Sequence, residues 1–268
     1  MVRGDLWRPA AVGSPDVAVV VCHGFKGFKD WGFFPHVAGT LSESLGAPVV
    51  SFNFSGSGIG PDLETFSDPE GFGRNTFSRE VADLEAILAG LADGGLGSLR
   101  FSPVSRFGVL GHSRGSVATL LSGERPAVEA LVTWAGIART ERYLDVFDGL
   151  PPGEAASVVN ARTGQVLPLY DDVKRDILEN GDRFDLVASL RRSRVPTLIV
   201  HGTDDATVPL SDTELLASAG DHVQLALVDG AGHTFEVGHP FDRPSEELET
   251  ALRLSLDHFR IHLLRSAA

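Results

Sequence analysis

Cysteine is nearly absent from this sequence, since Cys22 is the single one among 268 residues. An intrachain disulfide is therefore impossible, and a metal site built from several cysteine ligands is excluded. Cys22 lies in an apolar run that starts at Val17, which favours a buried structural thiol over a reactive one. The histidines outside the motifs described below show no shared ligand spacing, so we expect neither a metal nor an organic cofactor.

Long apolar runs and positive charge are also scarce. No apolar segment approaches the roughly 20 residues that a membrane-spanning helix needs, and residues 1–9 lack the apolar core of a signal peptide. Acidic residues (36) outnumber lysine and arginine (23), for a formal net charge of −13. This balance disfavours nucleic acids and anionic membranes, because both are polyanions. We therefore expect a cytoplasmic protein that binds neither nucleic acid nor membrane.

The remaining composition is that of an ordinary globular protein, with 43 % hydrophobic residues and a mean hydropathy of +0.05. A chain of this length can build one sizeable core, so we expect a single domain over residues 1–268. The sequence leaves the oligomeric state open between monomer and dimer.

Apolar runs of strand length alternate with stretches of helical periodicity. The pattern predicts strands at 17–22, 48–54, 105–110, 128–135, 195–200 and 223–228, and helices at 34–45, 77–91, 117–122, 212–219 and 246–264. Such alternation is typical of an α/β fold in which a mostly parallel central sheet carries helices on both faces.

The alternation breaks between Gly136 and Arg194. This stretch shows no strand–helix unit, only a possible hairpin around 160–165 and an acidic helix near 171–179. It follows a predicted strand, so it lies beyond the carboxyl ends of the sheet strands, where ligands bind in open α/β sheets. We interpret residues 137–194 as a small cap insertion over the site.

The pentapeptide Gly111-His112-Ser113-Arg114-Gly115 stands between a predicted strand and a predicted helix. A serine at such a corner is held on a tight turn, with its hydroxyl projecting from the strand end. The pentapeptide alone arises readily by chance in a chain with 30 glycines. Its position between strand and helix makes Ser113 a candidate nucleophile.

A nucleophilic serine needs a base to take its proton and a carboxylate to orient that base. In this type of sheet the two follow the serine along the chain, acid first, on loops after later strands. One such loop is His201-Gly-Thr-Asp-Asp-Ala-Thr-Val-Pro209, and the next is Asp229-Gly-Ala-Gly-His-Thr-Phe235. Both loops leave the carboxyl ends of strands, as Ser113 does, so the three groups can meet.

Together these three motifs resemble the α/β-hydrolase superfamily, over nearly the whole chain from Val17 to about Leu264. The resemblance implies that His233 is the base and that Asp205, rather than the adjacent Asp204, is the acid. The oxyanion hole takes one backbone N–H from the residue after the nucleophile, Arg114. By resemblance to other His-Gly loops of the family, Phe25 supplies the second.

Two further segments, His23–Gly32 and Asn160–Gln165, look like those of bacterial serine esterases similar to the cinnamoyl/feruloyl esterases and the dienelactone hydrolase group. Dienelactone hydrolases proper use a cysteine nucleophile, and here Ser113 stands in its place. Candidates for the substrate pocket are His23, Trp31, Phe34, Tyr143 and Tyr170. We expect His23 to organise its loop rather than act as a base, and His112 to point away from the site.

The sequence thus predicts a serine carboxylester hydrolase that acts on small to medium esters, with aromatic or cinnamoyl-type esters among them. The same triad also serves S9-like peptidases, thioesterases and amidases, so these related activities stay open. A ligand-binding member of the fold without catalysis is the alternative from another functional class.

Overall fold

The computed structural model describes residues 2–11, 13 and 16–264; the rest of the expected 1–268 domain lies outside this description. The strands are β1 (Arg3–Trp7), β2 (Val17–Cys22), β3 (Val49–Asn53), β4 (Gly95–Leu96), β5 (Leu99–Arg100), β6 (Arg106–His112), β7 (Val128–Trp134), β8 (Ala156–Val159), β9 (Val166–Leu169), β10 (Thr197–Gly202) and β11 (Val223–Val228). The helices are α1 (Phe34–Leu45), α2 (Pro69–Gly73), α3 (Phe77–Ala92), α4 (Gly115–Ser122), α5 (Asp171–Glu179), α6 (Leu186–Ser193), α7 (Leu210–Ala217) and α8 (Glu246–His262).

Seven strands form one sheet in the order β1-β3-β2-β6-β7-β10-β11, in which β1 runs antiparallel to β3 and all other neighbours are parallel. The register pairs Cys22 with Gly111 across β2 and β6, and Gly202 with Val228 across β10 and β11. Parallel strands end at the same edge, so the loops after β2, β6, β10 and β11 meet there. The predicted mostly parallel α/β sheet is confirmed.

The core lies in two layers, one on each face of the sheet. Alternate side chains of β2 enter one apolar cluster with α3 and α4 (Ala18, Val20, Cys22) and another with α1 and α8 (Val17, Val19, Val21). A strand covered by helices on both faces needs apolar residues at every position, which explains its unbroken hydrophobic run. Cys22 is fully buried, as expected, and burial raises the pKa of its thiol far above the ordinary value.

The helix boundaries follow local capping rules. Thr76, Asp185 and Ser245 each accept a hydrogen bond from the backbone N–H three residues further on, at the starts of α3, α6 and α8. Helix α1 has Pro35 in its first turn and ends at Gly46, whose φ of +61° is the left-handed value that glycine adopts freely. The periodicity predicted α1, α3 and α8 within two residues of their observed bounds.

Several elements were missed by the sequence pattern. Strand β1 reads Arg-Gly-Asp-Leu-Trp and lacks an apolar run, because it is an edge strand that pairs on one side with β3. Helix α6 lies in the 137–194 stretch, where we expected no strand–helix unit beyond the hairpin and the acidic helix. The short helix α2 and the hairpin of β4 and β5 were also not predicted.

Residues 137–194, hereafter the insertion, contain the predicted hairpin as β8 and β9, the predicted acidic helix as α5, and also α6 and two 3₁₀ turns at Thr140–Tyr143 and Asp145–Phe147. The insertion is attached to the segment around α2. The Tyr170 N–H donates to the Gly73 carbonyl (2.9 Å), and the Gln165 amide donates to the Phe66 carbonyl (2.8 Å). Three of its hairpin side chains are buried in the α3–α4 cluster: Ala156, Leu167 and Leu169.

Among the described residues, we find no helix that combines the length and the apolar character needed to cross a membrane.

The buried face of α3 gives a direct test of the packing. Leu84 is 0 % exposed and Leu178 on α5 is 63 % exposed. We expect Leu84→Ala to lower the free energy of unfolding by about 3 kcal/mol, through lost apolar burial and the cavity left behind. The matched Leu178→Ala variant should change it by less than about 0.5 kcal/mol. Urea unfolding followed by circular dichroism measures both, and equal effects would contradict the packing described.

Candidate active site

The serine corner joins β6 directly to α4. Ser113 has a φ of +52°, a left-handed conformation that is costly for a residue with a side chain. Its N–H donates to the Trp134 carbonyl on the neighbouring strand (2.8 Å), which holds the turn against the sheet. A Cβ added to Gly111 would lie 2.7 Å from the Gly115 carbonyl oxygen, and one added to Gly115 would lie 2.5 Å from that of His23. Both glycines are therefore required by close backbone approach.

Three side chains from three loops form a continuous chain of hydrogen bonds. His233 Nε2 lies 3.0 Å from Ser113 Oγ, and His233 Nδ1 lies 2.8 Å from Asp205 Oδ2. A carboxylate accepts only, so Nδ1 carries the proton and Nε2 presents its lone pair to the serine hydroxyl. The structure thus brings together the three residues that the sequence selected.

The carboxylate of Asp205 is fixed by its own loop. The backbone N–H groups of Thr207 (2.7 Å) and Val208 (2.9 Å) donate to Oδ1, and the side chain is 0 % exposed. Burial acts to raise the pKa of Asp205, but His233 and the two N–H groups together hold it below its usual value. Asp204 is exposed and lies beside Thr203. Of the two adjacent aspartates, Asp205 is the one that contacts His233.

The prediction that His112 points away from the site is wrong. The residue lines the cavity in front of Ser113, and its ring centroid lies 4.9 Å from that of His233. Burial lowers the pKa of His112 to about 3, and its neutral ring donates from Nε2 to the His233 backbone carbonyl (3.0 Å). His112 thereby connects the serine corner to the His233 loop. The sequence position of His112 beside Ser113 could have indicated a place in the site, but a sequence does not determine the direction in which the ring points.

The loop after β2 approaches the serine corner from the other side. His23 Nδ1 donates to the Gly24 carbonyl (2.9 Å), and Nε2 accepts from the Phe54 N–H (3.2 Å). Burial lowers the pKa of His23 to about 4, which is consistent with a neutral ring in this tautomer. The prediction that His23 lines the pocket was wrong, because the residue is buried within its loop and does not lie on the cavity wall.

Two backbone N–H groups near Ser113 lack acceptors. Neither the Phe25 nor the Arg114 N–H donates a hydrogen bond within residues 2–11, 13 and 16–264. Both belong to the two segments that meet at Ser113, the loop after β2 and the start of α4. Unpaired N–H groups at such a position can bind a developing negative charge on a substrate oxygen.

The side chain of Arg114 links these two segments. It is 1 % exposed, and its guanidinium donates from Nε to Glu80 Oε1 (2.9 Å) and from Nη2 to the Asn75 carbonyl (2.9 Å). The guanidinium carbon lies 4.1 Å from the Phe77 ring centroid and 5.3 Å from that of Phe25. Burial raises the pKa of Glu80 to about 7, against the opposing effect of the Arg114 charge. Sequence reasoning missed Glu80, because it resembles any acid in the first turn of a helix.

A cavity of about 490 Å³ opens in front of Ser113 and His233. Its walls come from the loop after β2, from α1 and from the insertion. The apolar and aromatic lining consists of Phe25, Trp31, Phe34, Ile137, Tyr143, Val146, Val158, Leu169 and Val208. A cavity of this size and character suits a small or medium-sized organic ligand.

Three of the five predicted pocket residues, Trp31, Phe34 and Tyr143, line this cavity. Tyr170 does not and is a second correction. Its hydroxyl donates to Glu70 (2.8 Å) and the Arg74 guanidinium covers its ring, so it fastens the insertion to α2. Its place in the predicted cap suggested the pocket, but its side chain contacts Glu70 and Arg74 instead. Among the described residues, no group of three or more His, Cys, Asp or Glu side chains is arranged to hold a metal ion.

Comparison with known proteins places this geometry in context. The chain is 27 % identical over 256 residues to the pimeloyl-[acyl-carrier protein] methyl ester esterase of Aromatoleum aromaticum. The match covers 86 % of this chain and 96 % of that protein. Est1E from Butyrivibrio proteoclasticus, solved with ferulic acid bound, has a similar fold (TM-score 0.66, 18 % identity, 96 % of this chain and 95 % of that one). So does dienelactone hydrolase from Anabaena variabilis (TM-score 0.57, 19 % identity, 98 % and 92 %).

The predicted resemblance is therefore confirmed at the level of fold and family. Residues 19–251 match the alpha/beta hydrolase family, a range that includes the β2 loop, the serine corner, Asp205 and His233. This chain belongs to the alpha/beta hydrolase family.

Proposed function

We propose that this protein is a serine carboxylester hydrolase that acts on small to medium esters. The observation that carries the proposal is the His233 ring, which bridges Ser113 Oγ (3.0 Å) and Asp205 Oδ2 (2.8 Å) at the floor of an apolar cavity. This arrangement supports a two-step acyl transfer through an acyl-enzyme.

In the first step, the Ser113 oxygen forms a bond to the ester carbonyl carbon while its proton moves to His233 Nε2. The carbonyl oxygen becomes an oxyanion and accepts hydrogen bonds from the Phe25 and Arg114 N–H groups. The carbon–oxygen bond to the alcohol then breaks, and His233 returns its proton to the departing alkoxide. Asp205 holds the Nδ1–H tautomer and stabilises the imidazolium that forms in between.

In the second step, a water molecule replaces the alcohol. His233 takes a proton from this water, which attacks the acyl carbon and forms a second oxyanion at the same two N–H groups. The proton then passes to Ser113 Oγ as the acyl bond breaks, releasing the acid and regenerating the serine. These groups complete the chemistry without a further reactant.

Substrate size and type follow from the cavity. The aromatic side chains Phe25, Trp31, Phe34 and Tyr143 offer flat apolar surface beside Ser113, which suits an aromatic or cinnamoyl-type acyl group. The insertion supplies one wall and acts as a cap over the bound ester. The Aromatoleum relative is named as a methyl ester esterase, which supports ester cleavage over peptide or thioester cleavage.

The nucleophile is tested first. We expect Ser113→Ala to lower kcat on short p-nitrophenyl esters by roughly four orders of magnitude or more, since the variant lacks the hydroxyl that forms the proposed acyl-enzyme. The exposed Ser211→Ala variant should keep wild-type turnover. A fluorophosphonate should label Ser113, as located by peptide mass spectrometry. Full activity of Ser113→Ala, or an adduct on another residue, would reject the mechanism.

The two adjacent aspartates provide a matched pair. Asp205→Asn leaves an amide that donates where His233 Nδ1–H needs an acceptor, so we expect kcat to fall by about 10⁴. Asp204→Asn alters an exposed side chain without contact to His233 and should stay within twofold of wild type. Both variants are compared by kcat at saturating ester. A larger loss in Asp204→Asn would reassign the acid.

The buried Glu80 serves to position the oxyanion hole through Arg114. Glu80→Gln keeps the side-chain shape but removes its negative charge, so the guanidinium loses its charged partner and the Arg114 N–H shifts. We expect kcat to fall roughly tenfold with KM nearly unchanged, because the hole binds the transition state more than the substrate. Glu85→Gln on the same helix is the control. A rise in KM alone, with kcat intact, would speak against this role.

A further inference from the structure

The charge lining the cavity is opposite in sign to that of the whole chain. Acidic residues outnumber basic ones by 36 to 23. Yet the cavity wall, as far as the described residues form it, carries Lys26, Arg142 and Arg162 and neither Asp nor Glu. A net charge of −13 repels anionic ligands at long range. A local group of cations in the wall therefore marks a place where an anion is favoured despite that repulsion.

One of the three cations is already compensated. The Arg142 guanidinium lies 3.9 Å from the buried carboxylate of Asp212 and donates to the Thr207 carbonyl (2.7 Å). Lys26 and Arg162 differ, because neither has a carboxylate within ion-pairing distance in residues 2–11, 13 and 16–264. Their charge is available to a ligand.

The two free cations stand on facing segments at the mouth of the cavity. Lys26 belongs to the loop after β2, and its ammonium donates to the Val159 carbonyl at the end of β8 (3.0 Å). Arg162 lies in the turn that follows β8, with its guanidinium carbon 5.6 Å from the Phe28 ring centroid. The Lys26 ammonium thus contacts the hairpin that carries Arg162, and both side chains line the same cavity.

The surroundings of Lys26 make its charge poorly solvated. Its ammonium lies 5.6 Å from the Phe25 ring centroid, and burial lowers its pKa below the ordinary value. A partly desolvated ammonium with one carbonyl acceptor retains two unused donors. An incoming carboxylate would satisfy them, and the planar fork of Arg162 could bind the same group through two parallel hydrogen bonds.

We propose that Lys26 and Arg162 form an anion subsite at the cavity mouth, and that the preferred substrates are esters that also carry a carboxylate remote from the scissile bond. This inference rests on the proposed ester hydrolysis at Ser113. It adds a substrate class, the half-esters of dicarboxylic acids or esters of carboxylate-bearing alcohols, to the aromatic and apolar preference of the inner cavity.

Two substrate pairs of matched length test the proposal. Mono-p-nitrophenyl adipate is compared with p-nitrophenyl hexanoate, which places the charge on the acyl part. 4-Carboxyphenyl hexanoate is compared with phenyl hexanoate, which places it on the alcohol part. We expect at least one charged ester to exceed its neutral partner roughly tenfold in kcat/KM, since a hydrogen bond to a charged group contributes that much.

The variants Lys26→Met and Arg162→Gln should each reduce this ratio about three- to tenfold. Lys174→Met, which removes a lysine from α5 outside the cavity, should leave the ratio unchanged. Raising the salt concentration to 0.5 M should also lower the ratio, because the mouth is open to solvent and ions screen its charges. Ratios near one for both pairs, or ratios unaffected by both variants, would overturn the subsite.

A binding measurement separates this proposal from the proposed hydrolysis. In the Ser113→Ala background, calorimetry with monomethyl adipate should show tighter binding than with methyl hexanoate, and Lys26→Met should abolish the difference. Hydrolysis of neutral esters without any preference for the charged ones rejects the subsite alone. Absence of hydrolysis for all four esters rejects the proposed function, while a charge-dependent difference in binding would still support the anion subsite.

Discussion

The buried ion pair between Arg114 and Glu80 is the interaction on which the site geometry depends. The residue after the serine has two separate features, since its N–H has no acceptor among the described residues and its guanidinium contacts Glu80 on α3, the Asn75 carbonyl and the Phe25 ring. Removing one partner of such a pair lowers the stability of a protein by about 3–5 kcal/mol, because the other partner is left as a buried charge without compensation. A buried pair is weak evidence for stability, and the clearest consequence of this one is that it fixes the serine corner relative to α3 and to the loop after β2.

The sequence predicted the parts of the site that obey local rules. Ser113 is marked by glycines that close backbone contacts require, and the loops that carry Asp205 and His233 meet it because parallel strands end at one edge. The choice of Asp205 over Asp204 came from the resemblance to the hydrolase family. The sequence could not predict features set by packing across distant segments. The Glu80 partner lies 34 positions from Arg114, and the placement of the Tyr170 side chain depends on an acceptor on α2. The edge strand β1 was missed because its pairing with β3, rather than its own side chains, makes it a strand.

The site is built from two kinds of segment, the short loops at strand ends and the insertion. Ser113, Asp205 and His233 lie on short loops at the ends of parallel strands, and hydrogen bonds such as that from the Ser113 N–H to the Trp134 carbonyl hold these loops against the sheet. One wall of the cavity comes from the insertion, whose contacts with the segment around α2 include the exposed pair of Arg74 with Asp172 (2.7 Å). Exposed pairs of this kind contribute little to stability. The insertion is therefore held mainly by its buried apolar side chains, such as Leu167, Leu169 and Ile177, which belong to the α3–α4 cluster.

The buried state of Cys22 has a practical consequence. The thiol is fully covered between β2 and α4, and its raised pKa leaves it as the unreactive protonated form at neutral pH. Because the chain has no other cysteine, we expect thiol-directed labels not to react with the native protein. A cysteine introduced at Ala161 in the hairpin turn would carry a fluorophore or spin label at the mouth of the cavity. The signal of such a label would report whether the hairpin changes its environment when a ligand binds, without first having to remove a native thiol.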